Sequence, residues 1–477
     1  MNKNTDHVYV SGGPVSPALT RAATITLCVF AAAFTALAAL AWWHVRAVEH
    51  WSAIQFAQIF LPLLLAIVFS GISILSAAVR VGSAVTAIIL MLGFIAVDSY
   101  VSRADVIVPE IRAARRLGVQ FDGRLLKEVL FEARDIGEAL TVPLQPLDRF
   151  GAFSNAAIFP NPALSKILLC NELGSIQYIE SDEYGFNNPR GLWNTTKIDV
   201  LLIGDSFTEG WCVPHPARFA EVVRQVYPRT INLGRGGAGP LTELAILREY
   251  APSLRPEVIV WCYYENDLAD LKFESRVSVL SRYLREPAFS EDLYLRREEV
   301  NRLVHRHVEK SITTLRARHD LPFRGTRHLI NTWVPRFINP ERRLDPLQSV
   351  AEIEEVKPVF AATLRDAQRV ARTLGAEIII FYLRDFRMWP SDAEPTMPAQ
   401  RAMVKNVAQE LGIPVIDLAE AVNARFSDQR EMHRLTDKHP IGAKGNIILH
   451  YNVPGHRLVG EVIVENLRKR FPHLGIH

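Results

Sequence analysis

Charge is what the first hundred residues lack. Between Ala22 and Ser99 only Arg46, Glu49, Arg80 and Asp98 carry it, whereas from Val101 onward charged residues recur at ordinary globular density. The first stretch excludes a wholly soluble protein, and the second excludes a polytopic transporter. Net charge is scarce too: 54 Lys+Arg against 51 Asp+Glu leave +3, which gives no bulk attraction for nucleic acid, and none is expected as a partner. Cysteine is rare, four in 477 residues, and no Cys/His group has metal-ligand spacing, so neither a metal nor an organic cofactor is implied. Internal repeats and low-complexity tracts are absent.

In place of charge the N-terminal stretch has apolar length. Ala22 to Trp43 is a charge-free run of 22 residues, enough for the roughly 20 that cross a hydrocarbon core, with Trp42, Trp43 and Trp51 where an interface would fall. A second run spans Trp51 to Val79 and a third Val81 to Val97, with Arg80 in a small-residue turn between them, the pattern of a helical hairpin. Lys3, Arg21 and Arg80 favour a cytoplasmic tail over 1–21 and about three transmembrane helices over 22–100. Everything after Arg103 then lies on the exterior, periplasmic side of the inner membrane. A cleaved leader in place of the first span leaves the same outcome, because the remaining hairpin has both ends outside. A third run of 17 residues is also short enough for a buried helix of the soluble part. Cys28 falls in the first span and Cys262 in the apolar run EVIVWCYY, which leaves Cys170 and Cys212 as the pair an oxidising compartment would join.

Residues 101–194 read as a connector that opens with the basic stretch PEIRAARRLG. Beyond Ile198 the signals become regular. IDVLLIG, RTINLG, EVIVWCYY, AEIIIFYL and IPVIDL read as buried strands, and amphipathic helical stretches alternate with them, the one ending VARTLG stopping at Gly375. Apolar strands alternating with helices make a parallel sheet covered on both faces, hence a three-layer α/β domain over 195–477. In such sheets ligands bind beyond the carboxyl ends of the strands. The alternation is interrupted at about 271–345 by a helical, Arg-rich insertion with Arg316, Arg318, Arg324, Arg327, Arg336, Arg342 and Arg343. A solvated insertion is the simplest account; a lid, a membrane-surface contact and a groove for an anionic polymer are its rivals.

The first strand ends in GDSFTEG, Gly204 to Gly210, which presents Ser206 at a strand's carboxyl end, where a nucleophile is useful. Residue 208 is Thr, so this is not the G-x-S-x-G elbow, and no Gly-Lys-Ser/Thr follows to make a phosphate loop. The second strand ends in NLGRGGAG and the third in YYENDL. Three consecutive strand ends bearing Ser, a Gly-rich turn and Asn resemble the SGNH (GDSL) hydrolase family. That resemblance implies a flavodoxin-like three-layer fold, Ser206 as nucleophile, the Gly237 backbone and the Asn266 side chain as oxyanion donors, and a base from a His near the C-terminus. Of His439, His450 and His456, the run HYNVPGH into the last helix favours His450, and His456 reads as packing or capping. Two positions depart from the family pattern: Tyr264 stands at the usual Gly of the third block, where it would narrow the acyl pocket or tilt Asn266, and Ile447 stands at the usual acid. The acid is then Asp437, the nearest upstream candidate, or Ser206 and His450 act as a dyad. A rival reading takes GRGGAG as a dinucleotide-binding G-x-G-x-x-G with Glu265 as the ribose acid. The resemblance implies a membrane-anchored serine esterase acting on an ester, such as an O-acetyl group, of an envelope glycan or lipid. An O-acyltransferase with the same Ser/His site and a non-catalytic envelope-binding domain are the alternatives.

Overall fold

Strands that are apolar on both faces need cover on both, and the five expected beyond Ile198 have it in the computed structural model. The structure describes residues 15–45, 53–103, 106, 108–118, 120–145, 157–172, 174–195, 197–319, 323–328, 349–384, 396–425 and 450–475. They fall into two units, one up to Arg103 together with Phe323–Arg327, the other comprising the rest.

The first unit holds helices α1 (Pro17–Val45), α2 (Ala53–Ile72) and α3 (Ala77–Val101). Pro17–Trp43 and Ala77–Val101 are long and apolar enough to cross a membrane, while the apolar part of α2, Ile59–Ile72, is shorter. The break between α2 and α3 falls at Ser73–Ser76, not at Arg80. Ser76 is extended and starts the helix, so Arg80 lies in its first turn, where Nη1 donates to Thr24 Oγ1 of α1 at 3.0 Å. Phe30 and Phe34 stack on Phe69. Phe323–Arg327 joins this unit through the Phe323 ring, edge-on to Phe94, and a Thr326 N–H bond to Asp98 Oδ1 of 2.7 Å.

The second unit begins with α4 (Pro109–Leu117) and α5 (Leu126–Asp135), then a three-stranded sheet of β1 (Leu140–Thr141), β2 (Lys166–Cys170) and β3 (Gln177–Glu180). β1 runs parallel to β2 and β3 antiparallel to it. The main sheet contains β4 (Val200–Gly204), β5 (Thr230–Asn232), β6 (Val258–Tyr263), β7 (Glu377–Tyr382) and β8 (Val415–Asp417), all parallel, in the order β5-β4-β6-β7-β8. Counted within the sheet this is the 2-1-3-4-5 order of flavodoxin-like folds, and the order reverses at β4. The short α6 (Ser206–Glu209) follows β4, α7 (Phe219–Arg224) precedes β5, and α8 (Pro240–Leu254) precedes β6. After β6 come α9 (Asp267–Glu274), α10 (Ser278–Arg285) and α11 (Arg297–His319), and then α12 (Val350–Leu374) leads into β7. Gly375 ends α12 with φ +69°, the left-handed cap its sequence position requires. α13 (Thr396–Glu410), α14 (Leu418–Arg425) and α15 (Val453–Arg470) complete the unit.

One face of the sheet packs Leu201, Ile203, Ile259 and Trp261 beneath α8 and α12, and the other packs Val200, Leu202, Val260 and Cys262 against α7 and α15. The stretch taken as a connector belongs to this core: Leu130, Phe131, Leu140, Ile158, Phe159 and Phe186 share a cluster with the sheet residues. The basic stretch PEIRAARRLG, read as helical, forms α4, but beyond it the apolar side chains sit on short elements and irregular backbone and carry little period, which is why the rest gave little strand or helix signature. The start of the presumed insertion is core too, since Leu271, Leu280, Tyr283, Val304 and Ile312 join the same cluster. Of its arginines, Arg316 pairs with Asp135 at 2.8 Å and covers the Phe131 ring, while Arg336, Arg342 and Arg343 lie outside the described residues.

Candidate active site

β4, β5 and β6 end side by side at the reversal of strand order, the place where a parallel sheet opens a crevice. Ser206 follows β4 as the first residue of α6, with Asp205 as the N-cap accepting the Phe207 N–H at 2.9 Å. Gly204 admits this turn because a Cβ there would strike the Thr208 side chain and lie 2.7 Å from the Cys262 carbonyl oxygen. Ser206 is half-buried.

After β5 the chain turns through Gly234 to Gly239. Asn232 anchors the turn, donating to the Thr208 carbonyl at 2.6 Å and accepting the Gly234 N–H at 2.8 Å. Gly237 is exposed at φ +68°, in the left-handed region that favours glycine. After β6, exposed Asn266 caps α9 and donates Nδ2 to Asp270 Oδ2 at 3.0 Å. Tyr264 does not intrude on this mouth: it stacks on Phe207, ring centroids 3.7 Å apart, and joins the core cluster beneath.

His450 comes from the far end of the chain, just ahead of α15, whose N-cap Asn452 accepts the Gly455 N–H at 2.9 Å. His450 Nε2 lies 2.8 Å from Ser206 Oγ. His456, in the first turn of α15, is fully buried and accepts the Phe219 N–H, so it packs and caps. Asp437 and His439 lie outside the described residues. The carboxylate at the other side of the His450 ring is Glu172, absent from the sequence reading. Its Oε1 lies 3.1 Å from Nδ1, and its Oε2 accepts the His450 backbone N–H at 3.1 Å. Glu172 sits in the loop after β2, and the Cys170–Cys212 disulfide ties that loop to the turn after α6. No motif marks Glu172; its one signal was its place two residues after a cysteine paired with the nucleophile's own segment.

Beneath these groups lies Glu209, with a fully buried side chain. Its Oε1 accepts Arg235 Nη1 and Asn161 Nδ2, both at 2.8 Å, and its Oε2 accepts Trp211 Nε1 at 2.7 Å and the Gly236 N–H at 2.5 Å. The carboxylate thus ties the nucleophile helix to the Gly-rich turn. It also excludes the dinucleotide reading, because a phosphate needs the backbone donor that Glu209 already holds, in a turn where Trp211 fills the space beside Gly236. Behind the nucleophile, burial pushes the Asp205 carboxyl up to about 7, with repulsion from Glu209 adding to it, and burial drives those of Glu243 and Asp267 well above the carboxylate range, with repulsion from Asp205 adding to both. Glu172, Cys212 and His450 bring three potential metal-ligand atoms within 4.8 Å of one another. The Cys212 sulfur is spent in the disulfide, however, so the group offers two ligands where a zinc site needs three or four.

The chain thus places Ser206, Gly237 and Asn266 in the turns after three neighbouring strands of a flavodoxin-like parallel α/β sheet, with His450 and Glu172 in line with Ser206. The model of the GDSL-like lipase/acylhydrolase family matches residues 202–458, and the chain belongs to that family. No curated protein matches. Among solved structures it is similar to a lipase/acylhydrolase from Enterococcus faecalis, at 15% identity, over 57% of this chain and 96% of that one, with a TM-score of 0.30. A psychrotrophic esterase from Pseudoalteromonas sp. matches at 9% identity, 58% and 100% coverage and TM-score 0.30. A catalytic mutant of an acetylxylan esterase from Geobacillus stearothermophilus matches at 17% identity, 57% and 94% coverage and TM-score 0.30. Likenesses of this size bear on neither substrate nor activity.

Proposed function

We propose that the protein is a membrane-anchored serine esterase with Ser206 as nucleophile, His450 as base and Glu172 as the acid that orients the base. The observation that carries the reading is the 2.8 Å approach of His450 Nε2 to Ser206 Oγ with Glu172 on the opposite ring nitrogen. With its proton on Nδ1 donated to Glu172, the imidazole accepts at Nε2. It takes the Ser206 hydroxyl proton as Oγ attacks an ester carbonyl, and the tetrahedral adduct collapses when His450 returns the proton to the departing alcohol. Water, activated the same way, then releases the acid. The backbone N–H groups of Ser206 and Gly237 and the second amide N–H of Asn266 are the oxyanion donors in this reading, each worth about 3 to 4 kcal/mol of barrier.

The apolar helices α1 and α3 support an anchor, and an exterior, periplasmic face at the inner membrane further requires α2 to cross between them, with Lys3 and Arg21 holding the N-terminus in the cytoplasm. An anchored exterior esterase points to an O-acyl ester of an envelope glycan or lipid. Transfer to a sugar hydroxyl in place of water uses the same groups. The test is a fluorophosphonate probe on the full chain: labelling confined to Ser206 and abolished in Ser206→Ala is expected, whereas a folded protein that stays unlabelled would overturn the reading. An acyl donor supplied with glycan separates the two outcomes, since a transferase accumulates acylated glycan and an esterase only consumes the donor.

A further inference from the structure

Glu172 reaches the site from outside the nucleophile's sheet. Its loop leaves β2 where pairing with β3 is already irregular, with a register shift between Leu168 and Cys170. Beyond Cys170 the backbone is tied by Asn171 Nδ2 donating to the Asp122 carbonyl and by the Asp122 N–H donating to Gly174 O at 2.9 Å. The covalent tie is Cys170–Cys212, which closes a loop of sequence separation 42. Its far end belongs to the nucleophile: the Gly210 and Trp211 N–H groups both donate to the Ser206 carbonyl at 3.1 Å, and Cys212 follows in a left-handed conformation, φ +64°. The Cys212 sulfur lies 3.6 Å from His450 Nδ1, the nitrogen that Glu172 engages. Both cysteines are buried, at 6% and 1% exposure.

We propose that Cys170–Cys212 is the positioning cross-link of the catalytic triad: it holds Glu172 on His450 Nδ1, so that full turnover requires the oxidised pair. The inference rests on the Ser206–His450–Glu172 reading above. The cross-link acts in two ways. It removes loop freedom between the acid and the nucleophile turn, where a misplacement of about 1 Å costs about a hundred-fold in rate. It also keeps the sulfur beside Nδ1 without a proton, whereas a Cys212 thiol would present a weak donor and acceptor that competes with Glu172 for the ring. Opening the bond takes two electrons and two protons from a dithiol: its thiolate attacks one protein sulfur and releases the other, its second thiol then attacks the mixed disulfide and releases the remaining protein sulfur, and two protein thiols and one cyclic disulfide result.

The experiment compares the full-length protein in detergent with Cys170→Ala/Cys212→Ala, in the native and in the Glu172→Gln background, using p-nitrophenyl acetate. In the native background kcat is expected to fall about a hundred-fold with KM within about two-fold. In Glu172→Gln, the same double substitution is expected to change kcat by less than about two-fold, because the group it positions is already disabled. An equal loss in both backgrounds, or none in the native one, overturns the cross-link's role. Should the double variant fail to fold by near-UV circular dichroism, the wild type reduced with dithiothreitol, its thiols counted and its fold checked the same way, replaces it. A downfield imidazole N–H resonance that moves upfield or vanishes in Glu172→Gln reports the contact without turnover. Its persistence after the cross-link is removed counts against positioning even where Ser206→Ala leaves turnover intact and so sinks the hydrolase reading by itself.

Discussion

Replacing Glu172 by glutamine removes a charge while keeping the shape, which isolates what the carboxylate does for His450. Glu172 accepts twice from that residue, from Nδ1 and from the backbone N–H, both at 3.1 Å. The two side chains are only 5% and 11% exposed, so bulk water does not substitute for the lost charge. A glutamine has one acceptor for these two donors. With its oxygen toward the ring, the tautomer survives and only the stabilisation of the imidazolium is lost. With its NH2 toward the ring, Nδ1 must accept, the proton moves to Nε2, and the ring no longer takes the Ser206 proton. Loss of the acid in a Ser–His–Asp triad costs about 10⁴ in kcat through this tautomer effect, so kcat of Glu172→Gln is expected to fall about 10³- to 10⁴-fold, equivalent to about 4 to 5.5 kcal/mol of barrier. The assay is steady-state hydrolysis of p-nitrophenyl acetate, with thermal unfolding of the same preparation to show that the fold is intact. Asp437→Asn, measured alongside, is expected to stay within about two-fold of wild type. A Glu172→Gln enzyme within about ten-fold of wild type, or a large loss in Asp437→Asn, would refute the assignment.

Three further outcomes follow from the same geometry. Asn266→Ala removes a side chain whose amide contacts Asp270 at the mouth, and is expected to lower kcat about 10²- to 10³-fold with KM little changed; a change confined to KM would take Asn266 out of the oxyanion site. Arg235→Met leaves the buried Glu209 charge without its cation, and is expected to cost about 3 to 5 kcal/mol in urea unfolding; a loss under about 1 kcal/mol would mean that the pair is dispensable. Asp205, pushed up to about 7, keeps in the folded state a proton that the unfolded chain releases near 3.8. Its contribution to stability is therefore full at low pH and is lost as pH rises through about 7. Urea midpoints at pH 5 and pH 8 are expected to fall with pH in wild type and to differ less in Asp205→Asn, and an equal drop in both would dismiss Asp205 as the source.

The main sheet was legible because its strands are apolar on both faces and its helices are amphipathic, so two periods suffice to tell them apart. All five strands expected beyond Ile198 are present, in parallel and in one sheet. Charge is a poor marker of the α2–α3 boundary in this chain. In fact Ser73–Ser76 breaks the helix, and Arg80 is accommodated inside α3 by Thr24. The region 101–194 was illegible for a different reason. Its contribution to the core comes from residues such as Ile158, Phe159 and Phe186 set in irregular backbone, and among its described residues the strands are five residues or fewer.

The site divides along the same line. Ser206, Gly237 and Asn266 lie in the turns after β4, β5 and β6, neighbouring strands of one sheet, so short motifs at strand ends carried these candidates. Glu172 has no such motif, since nothing within its own segment requires an acid. Its place beside the site comes from the disulfide and from His450, which arrives from the far end of the chain. The absence of an acid at Ile447 was therefore a true signal that pointed in an incomplete direction. It excluded the acid at its usual place; Asp437 is the nearest acid along the chain, whereas Glu172 is near His450 only in space. The cysteine pair carried the missing information. A cross-link expected between Cys170 and Cys212 already required residues 170–172 to lie beside the turn after Ser206, within a few ångströms of whatever base serves it. Among the described residues Glu172 is an acidic side chain that this constraint brings into reach of His450, so the proposed assignment of the acid and the disulfide pairing rest on the same constraint.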